Sequence, residues 1–280
     1  MAFVAVLGGG ALGGAVAHAL ARRERVTEVR LIDPLGDVAR GKTLDILQSS
    51  PIDGFGTRLT ASDALEAAAG AAAVVLADDA ASGSEHSGEA GLALVRRLAA
   101  IEATSPIVFA GAAQRELIGR AVTELRLSRT RVVGSAPYAL ESALRTLTAI
   151  AMDGTGTEVS LRIVGVPPRG AVVAWHESSV GGQPLSAYLP AHVISGLAAR
   201  IPGLWPPGPY ALGAACSRLV EALVHGSRRT FTCFVVADGG LARGAAVALP
   251  VRFERGGVRE VVIPTLTPQE QTMLDNALQG

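Results

Sequence analysis

The chain has 280 residues with 25 basic and 25 acidic side chains, so its formal net charge is zero; hydrophobic residues make up 49% but aromatic ones only 4%. A core must therefore be built chiefly from Ala, Val and Leu, and the length suits two modest domains or one large one. The even charge balance, with no basic stripe, argues against nucleic acid or an anionic membrane as a partner, and no apolar run reaches the length of a membrane span.

The first residues, "MAFVAVLGGG", carry no basic residue ahead of the apolar run and no cleavage-site pattern, so they predict a strand rather than a signal peptide. Short Val/Ile/Leu runs predict buried strands over 3–8, 28–33, 71–77, 105–111 and 130–134. Ala/Leu/Arg stretches of helical period predict helices over 11–23, 37–49, 87–103 and 114–127. Buried strands alternating with helices imply a parallel sheet covered on both faces. After about residue 140 the pattern changes. A helix over 139–152 leads into a strand pair, "EVSLRIVGV" and "AVVAWHE". Helices over 190–200 and 211–226 follow, then three strands, "TFTCFVVA", "AVALPVRFE" and "REVVIP", and a last helix over 267–278. The expected fold class is α/β: an N-terminal Rossmann domain, a doubly wound parallel sheet over 1–138, followed by an α+β domain over 139–280.

The stretch "VLGGGALGGAVAHAL" follows the first strand directly and opens the first helix. Gly8, Gly10 and Gly13 fit G-x-G-x-x-G, where the glycines allow a tight turn, close approach of backbone to a pyrophosphate, and close helix–strand packing. The helix N-terminus behind them, beginning at Ala11 and Leu12, offers unpaired N–H groups to phosphates. Asp33 ends the second strand twenty residues after Gly13, where a carboxylate can accept hydrogen bonds from an adenosine ribose and disfavour the extra phosphate of NADP. The candidate cofactor is thus NAD, and its candidate residues are Gly8, Gly10, Ala11, Leu12, Gly13 and Asp33. The competing structural reading is a glycine-rich strand–helix corner with Asp33 as a turn former.

Cys216 and Cys233 are the only cysteines. They lack metal-ligand spacing and read as small buried apolar residues in a reducing cytoplasm. Neither a Ser-His-Asp arrangement nor a metal-ligand cluster stands out.

The segment "GKTLDILQSSPIDGFGTRLTASD" (41–63), behind the glycine loop and Asp33, resembles the segment after the second strand of malate dehydrogenases, in the lactate/malate dehydrogenase family. "RVVGSAPYALESALRTL" (131–147), "GAACSRLVEALVHGSRRTFTCFVVADGG" and "LPVRFERGGVREVVIPTLTPQEQTML" resemble later segments of the same family, with apparent deletions near 80–90 and 186–208. The resemblance implies a Rossmann domain with an α+β substrate domain, homodimers or tetramers, and reversible hydride transfer between NAD and a 2-hydroxy dicarboxylate.

It also implies where the chemistry should lie, and there this sequence departs. The family's catalytic histidine stands eight residues before a tryptophan in many lactate enzymes; counting back from Trp175 reaches Pro167. Pro168 and Arg169 replace the glycine and aspartate that follow the histidine. In the family's Leu-Asp-Ser-Ala-Arg, here "LESAL", Glu141 replaces the aspartate that orients the histidine and Leu144 the arginine that clamps the substrate carboxylate. Arg145 is one residue on, which turns a helical side chain by about 100°. The closing loop, "DDAASGSEHSGEAG" (78–91), is short and has no arginine, and Gly111 replaces an asparagine. Where the family reads Thr-Ala-Gly after the fourth strand, this chain reads Ala77-Asp78-Asp79. A carboxylate about 5 Å from a phosphate would cost roughly 3 kcal/mol at an effective dielectric of about 20.

No catalytic residue is therefore assigned, and three readings stand. The first is a non-catalytic or chemically altered protein with a candidate NAD(H) site. The second is a working dehydrogenase with relocated groups, His86 or His176 being the candidate acid/base. The third is a structural or partner-binding dimer without nucleotide.

Overall fold

A computed structural model describes residues 2–237 and 244–279; part of the quoted family-like segment, 238–240, lies outside them. The N-terminal half alternates as expected. Strands β1 (Phe3–Leu7), β2 (Glu28–Ile32), β3 (Arg58–Ser62), β4 (Ala73–Leu76), β5 (Ile107–Phe109) and β6 (Val132–Gly134) are joined through helices α1 (Ala11–Arg23), α2 (Gly36–Asp53), α3 (Gly88–Ile101) and α4 (Arg115–Thr123). All six strands pair in parallel in the order β3-β2-β1-β4-β5-β6. Strands covered on both faces need no polar alternation, so β4 reads AVVL and every residue of it is buried. The strand order reverses between β1 and β4, the position at which doubly wound sheets open a ligand crevice beyond their carboxyl ends.

The second half begins with α5 (Ala136–Ile150), β7 (Val159–Ser160), β8 (Ile163–Val166), β9 (Gly170–Val173), β10 (Ser179–Val180) and β11 (Gln183–Pro184). It continues with α6 (Ala191–Arg200), α7 (Pro209–His225), β12 (Ser227–Val236), β13 (Ala246–Glu254), β14 (Gly257–Val261) and α8 (Pro268–Gln279). β12 pairs antiparallel with β6 through Phe234 and Gly134, and β13, β8 and β9 extend the sheet further. One sheet therefore crosses the boundary expected near residue 138. One large core follows it, from Val4 and Val75 to Phe234 and Leu249. A smaller core lies wholly in the second half, around Leu140, Leu144, Leu161, Ile163 and Val173.

Several boundaries differ from the sequence expectation. β3 was not expected; its RLTAS pattern buries only Leu59 fully, so it lacks the apolar run that marks the inner strands. α2 runs to Asp53 through Pro51, beyond the expected end at 49. The predicted strand "AVVAWHE" stops at Val173, and Trp175–Glu177 form a short 3-10 turn. His176 is consequently an exposed turn residue rather than a strand residue opposite Trp175.

Candidate functional site

The glycine loop joins β1 to α1. Gly8 has φ +108°, a backbone region that disfavours any side chain, and its N–H donates to Ile32 O at 2.8 Å. A Cβ at Gly13 would collide with the Gly8 carbonyl, so the helix closes on the strand only because both positions are bare. Gly10 precedes the first turn of α1, which leaves the N–H groups of Ala11, Leu12 and Gly13 at the positive end of the helix dipole.

Two of those donors are already paired. Leu12 N–H donates to Asp78 Oδ2 at 2.9 Å and Gly13 N–H to Asp78 Oδ1 at 2.8 Å. Asp78 follows β4 and is 4% exposed. Its carboxylate lies so close to the loop that a Cβ at Gly10 would strike it, and one at Gly8 would strike the Asp78 carbonyl. The glycines thus accommodate this chain's own aspartate.

Asp33, just past β2, is fully buried. Its Oδ2 accepts from Gly9 N–H at 2.7 Å and Ala80 N–H at 3.1 Å, and its Oδ1 accepts from Leu35 N–H at 2.8 Å. The structure brings together every residue expected around a dinucleotide, Gly8, Gly10, Ala11, Leu12, Gly13 and Asp33. It turns the Asp33 carboxylate toward the backbone of the loop rather than toward the crevice.

Further along the strand ends, the side chain of Glu85, in the loop between β4 and α3, reaches the turn after β5. Its carboxylate accepts from Ala112 N–H at 2.9 Å and Ala113 N–H at 2.6 Å, and a Cβ at Gly111 would collide with it. Asp78 and Glu85 pair as a bridge across a short hairpin. Asp79 closes the hairpin: its N–H donates to Ser84 O at 2.8 Å, its carbonyl accepts from Gly83 N–H at 2.8 Å, and its Oδ1 accepts from Ser82 N–H at 2.7 Å. The buried Gln114 side-chain amide donates to Ala77 O and His86 O, both at 3.1 Å, fastening both ends. His86 is half-buried here; burial pushes its imidazole below the usual range, against the pull of Asp79, Asp33 and Asp78. The sequence flagged Asp78 and Asp79 by their position; nothing in it signalled the reach of Glu85 to residues 112 and 113, since that contact exists only after β4 and β5 pair.

The positions resembling the family's acid/base set lie elsewhere. Pro167 is buried in the β8–β9 turn and lines a cavity with Met273, Asn276 and Ala277 of α8. Arg169 in the same turn is exposed. Leu144 is fully buried in the smaller core. Glu141 is fully buried too; its oxygens accept from Thr232 Oγ1 at 2.5 Å and Arg162 Nη1 at 3.1 Å. Burial pushes the Glu141 carboxyl above the usual range, while Arg162 and Thr232 pull it down. Arg145 lines a separate cavity of about 730 Å³ with Tyr138, Glu141, Arg162 and Arg229, and no residue of the glycine loop borders it.

Both cysteines are buried and free, and burial pushes the Cys216 thiol up to about 12 and the Cys233 thiol well up. Among the described residues no group of His, Cys, Asp and Glu is arranged to hold a metal, and no helix is long and apolar enough to cross a membrane.

The fold and crevice define a Rossmann-type chain with an α+β second half. Comparison with known proteins then supports the family resemblance read in the sequence. The chain is 27% identical over 290 residues to malate dehydrogenase from Dehalococcoides mccartyi (strain CBDB1), covering 97% of this chain and 94% of that one. It is 25% identical over 297 residues to L-lactate dehydrogenase A of Rhizopus oryzae, covering 99% and 90%. Its fold matches the solved malate dehydrogenase of Salinibacter ruber with a TM-score of 0.85 at 24% identity, covering 98% of this chain and 93% of that one. No protein-family model matches the chain. Its likeness is to the lactate/malate dehydrogenase family, over nearly its whole length.

Proposed function

We propose that the chain is a malate-dehydrogenase-like protein that does not catalyse hydride transfer on malate or lactate. The observation that carries this reading is the state of Pro167 and Glu141. Exchange of a proton with a substrate hydroxyl needs a titratable group, and Pro167 offers none. Glu141, at the place of the orienting aspartate, has both oxygens engaged by Thr232 and Arg162. Leu144 supplies no charge for a substrate carboxylate. The test is malate and lactate oxidation followed by NADH absorbance; background rates are expected. Steady malate turnover that disappears on replacing His86 or His176 would overturn the proposal and favour relocated catalysis.

Assembly as a homodimer in a reducing cytoplasm completes the proposal. α2 leaves Leu44 56%, Leu47 37% and Ile52 88% exposed, apolar surface suited to a two-fold partner. Light scattering is expected to give twice the 28.6 kDa chain mass; a monomer at micromolar concentration would count against the dimer.

A further inference from the structure

We infer that the dinucleotide crevice of this chain is filled by its own carboxylates, Asp78 above all, so that NAD(H) does not bind at the glycine loop while Asp78 is in place. This concerns the cofactor crevice and stands apart from the loss of the acid/base set.

A glycine-loop helix binds a pyrophosphate through the free N–H groups of its first turn and through backbone left bare by glycine. Here the Leu12 and Gly13 N–H groups are held by the two oxygens of Asp78 at 2.9 and 2.8 Å. The space next to bare Gly10 is taken by the same carboxylate. A phosphate would need those donors and that space, and would also bring negative charge against a buried carboxylate.

Two independent contacts repeat the pattern along the crevice. At the end of β2, the residue expected to meet a ribose, Asp33, is fully buried with three backbone donors. At the end of β5, Glu85 holds the Ala112 and Ala113 N–H groups and fills the space that Gly111 leaves. Asp78 and Glu85 therefore hold backbone donors and fill space beside β4 and β5, while Asp33, at the end of β2, is committed to the loop backbone rather than to a ribose. The residues present do not fit NAD.

The plug is also fastened. Asp78 and Glu85 flank one hairpin whose turn is tied by Asp79 and whose ends are tied by the buried Gln114 amide. Withdrawal of Asp78 would expose the α1 donors and disturb those ties together.

The test is titration of the natural chain and of Asp78→Ala with NADH, NAD and ADP-ribose, followed by calorimetry and by NADH fluorescence, with no substrate present. The natural chain is expected to show no saturation up to about 1 mM, and Asp78→Ala to bind ADP-ribose at least about tenfold more tightly. Asp78→Ser, which shortens the side chain, empties the space beside Gly10 and removes the charge, serves if the alanine variant does not fold, and the same gain is expected of it. Saturation of the natural chain by micromolar NADH, displaced by ADP-ribose, would overturn the inference. So would a folded Asp78 variant, its helicity verified by circular dichroism, that binds no better than the natural chain. NADH binding without malate turnover would overturn this inference alone and leave the proposed function standing.

Discussion

Glu141 and Pro167 stand at two places where the resemblance calls for a coupled pair, and each is committed to something else. The Glu141 carboxylate lies between Thr232 and Arg162, and Pro167 is packed near α8. Restoring one partner does not restore the pair, because groups that act as a unit contribute non-additively. General acid–base help is typically worth about 10²–10⁴-fold. Without a positioned substrate there is nothing for it to act on. Pro167→His is therefore expected to stay at background in a malate oxidation assay. Pro167→His with Glu141→Asp is expected to do the same, since Leu144 still gives the substrate carboxylate no partner. A measurable rate from either variant would show that the remaining crevice can still orient a hydroxy acid.

Glu102 follows the end of α3 and ties that helix to the sheet floor opposite the crevice. It accepts from Gly70 N–H at 2.7 Å, Thr104 N–H at 3.1 Å, Thr104 Oγ1 at 2.9 Å and Ser105 N–H at 3.2 Å. Burial opposes its charge, but these donors outweigh burial and hold its carboxyl down at about 2. The folded value lies below the unfolded one, so the ionised group stabilises the fold above the ordinary carboxylate range of about 4.3. That contribution is lost as pH falls through about 2. Glu102→Gln is expected to cost about 1–3 kcal/mol at pH 7. Chemical denaturation at several pH values should show the gap between parent and variant narrowing on acidification. A gap independent of pH would mean that charge plays no part.

How much of this was legible in the sequence varied by element. β13 was readable to the residue, because "AVALPVRFE" is apolar until its end. β1, β2, β4 and β5 were readable for the same reason. β3 was not, since an edge strand of mixed polarity has no distinctive pattern. The end of α2 was hidden by Pro51, which usually marks a helix boundary. The glycine loop was legible from its spacing together with its context, directly after a strand and with Asp33 twenty residues beyond Gly13. That its donors face Asp78 follows only from the approach of β4 to β1, and the ties of Glu85 and Gln114 follow from that of β5 to β4; no local pattern encodes either.

Across the molecule, α7 from the second half lies on α1 from the first. Gly213 permits the approach: a Cβ there would come within 2.8 Å of the Ala15 backbone. Arg23 and Glu221 add an ion pair across the same contact. In an isolated helix Gly→Ala gains about 1 kcal/mol in propensity, whereas overpacking typically costs about 1–3 kcal/mol. Ala15 offers backbone rather than a flexible side-chain end, so the collision should win. Gly213→Ala is expected to lower the melting temperature, measured by circular dichroism, and Gly213→Val to lower it further. A higher melting temperature for the alanine variant would show that the two helices can part without penalty.

The pairing of β6 with β12 at Gly134 and Phe234 also determines how the chain comes apart. A sheet interrupted between the halves would let each melt on its own and let them swing about a hinge. Here the hydrogen-bonded ladder and the core run through the junction, so loosening one half strips cover from the other and the two should open as one cooperative unit. Urea titration of the full chain is expected to give a single transition, the same by far-ultraviolet circular dichroism and by tryptophan fluorescence. The fluorescence reports only the second half, because Trp175 and Trp205 are the chain's two tryptophans. A fragment ending near residue 138 would leave the β6 edge bare, an invitation to pair with other copies and precipitate.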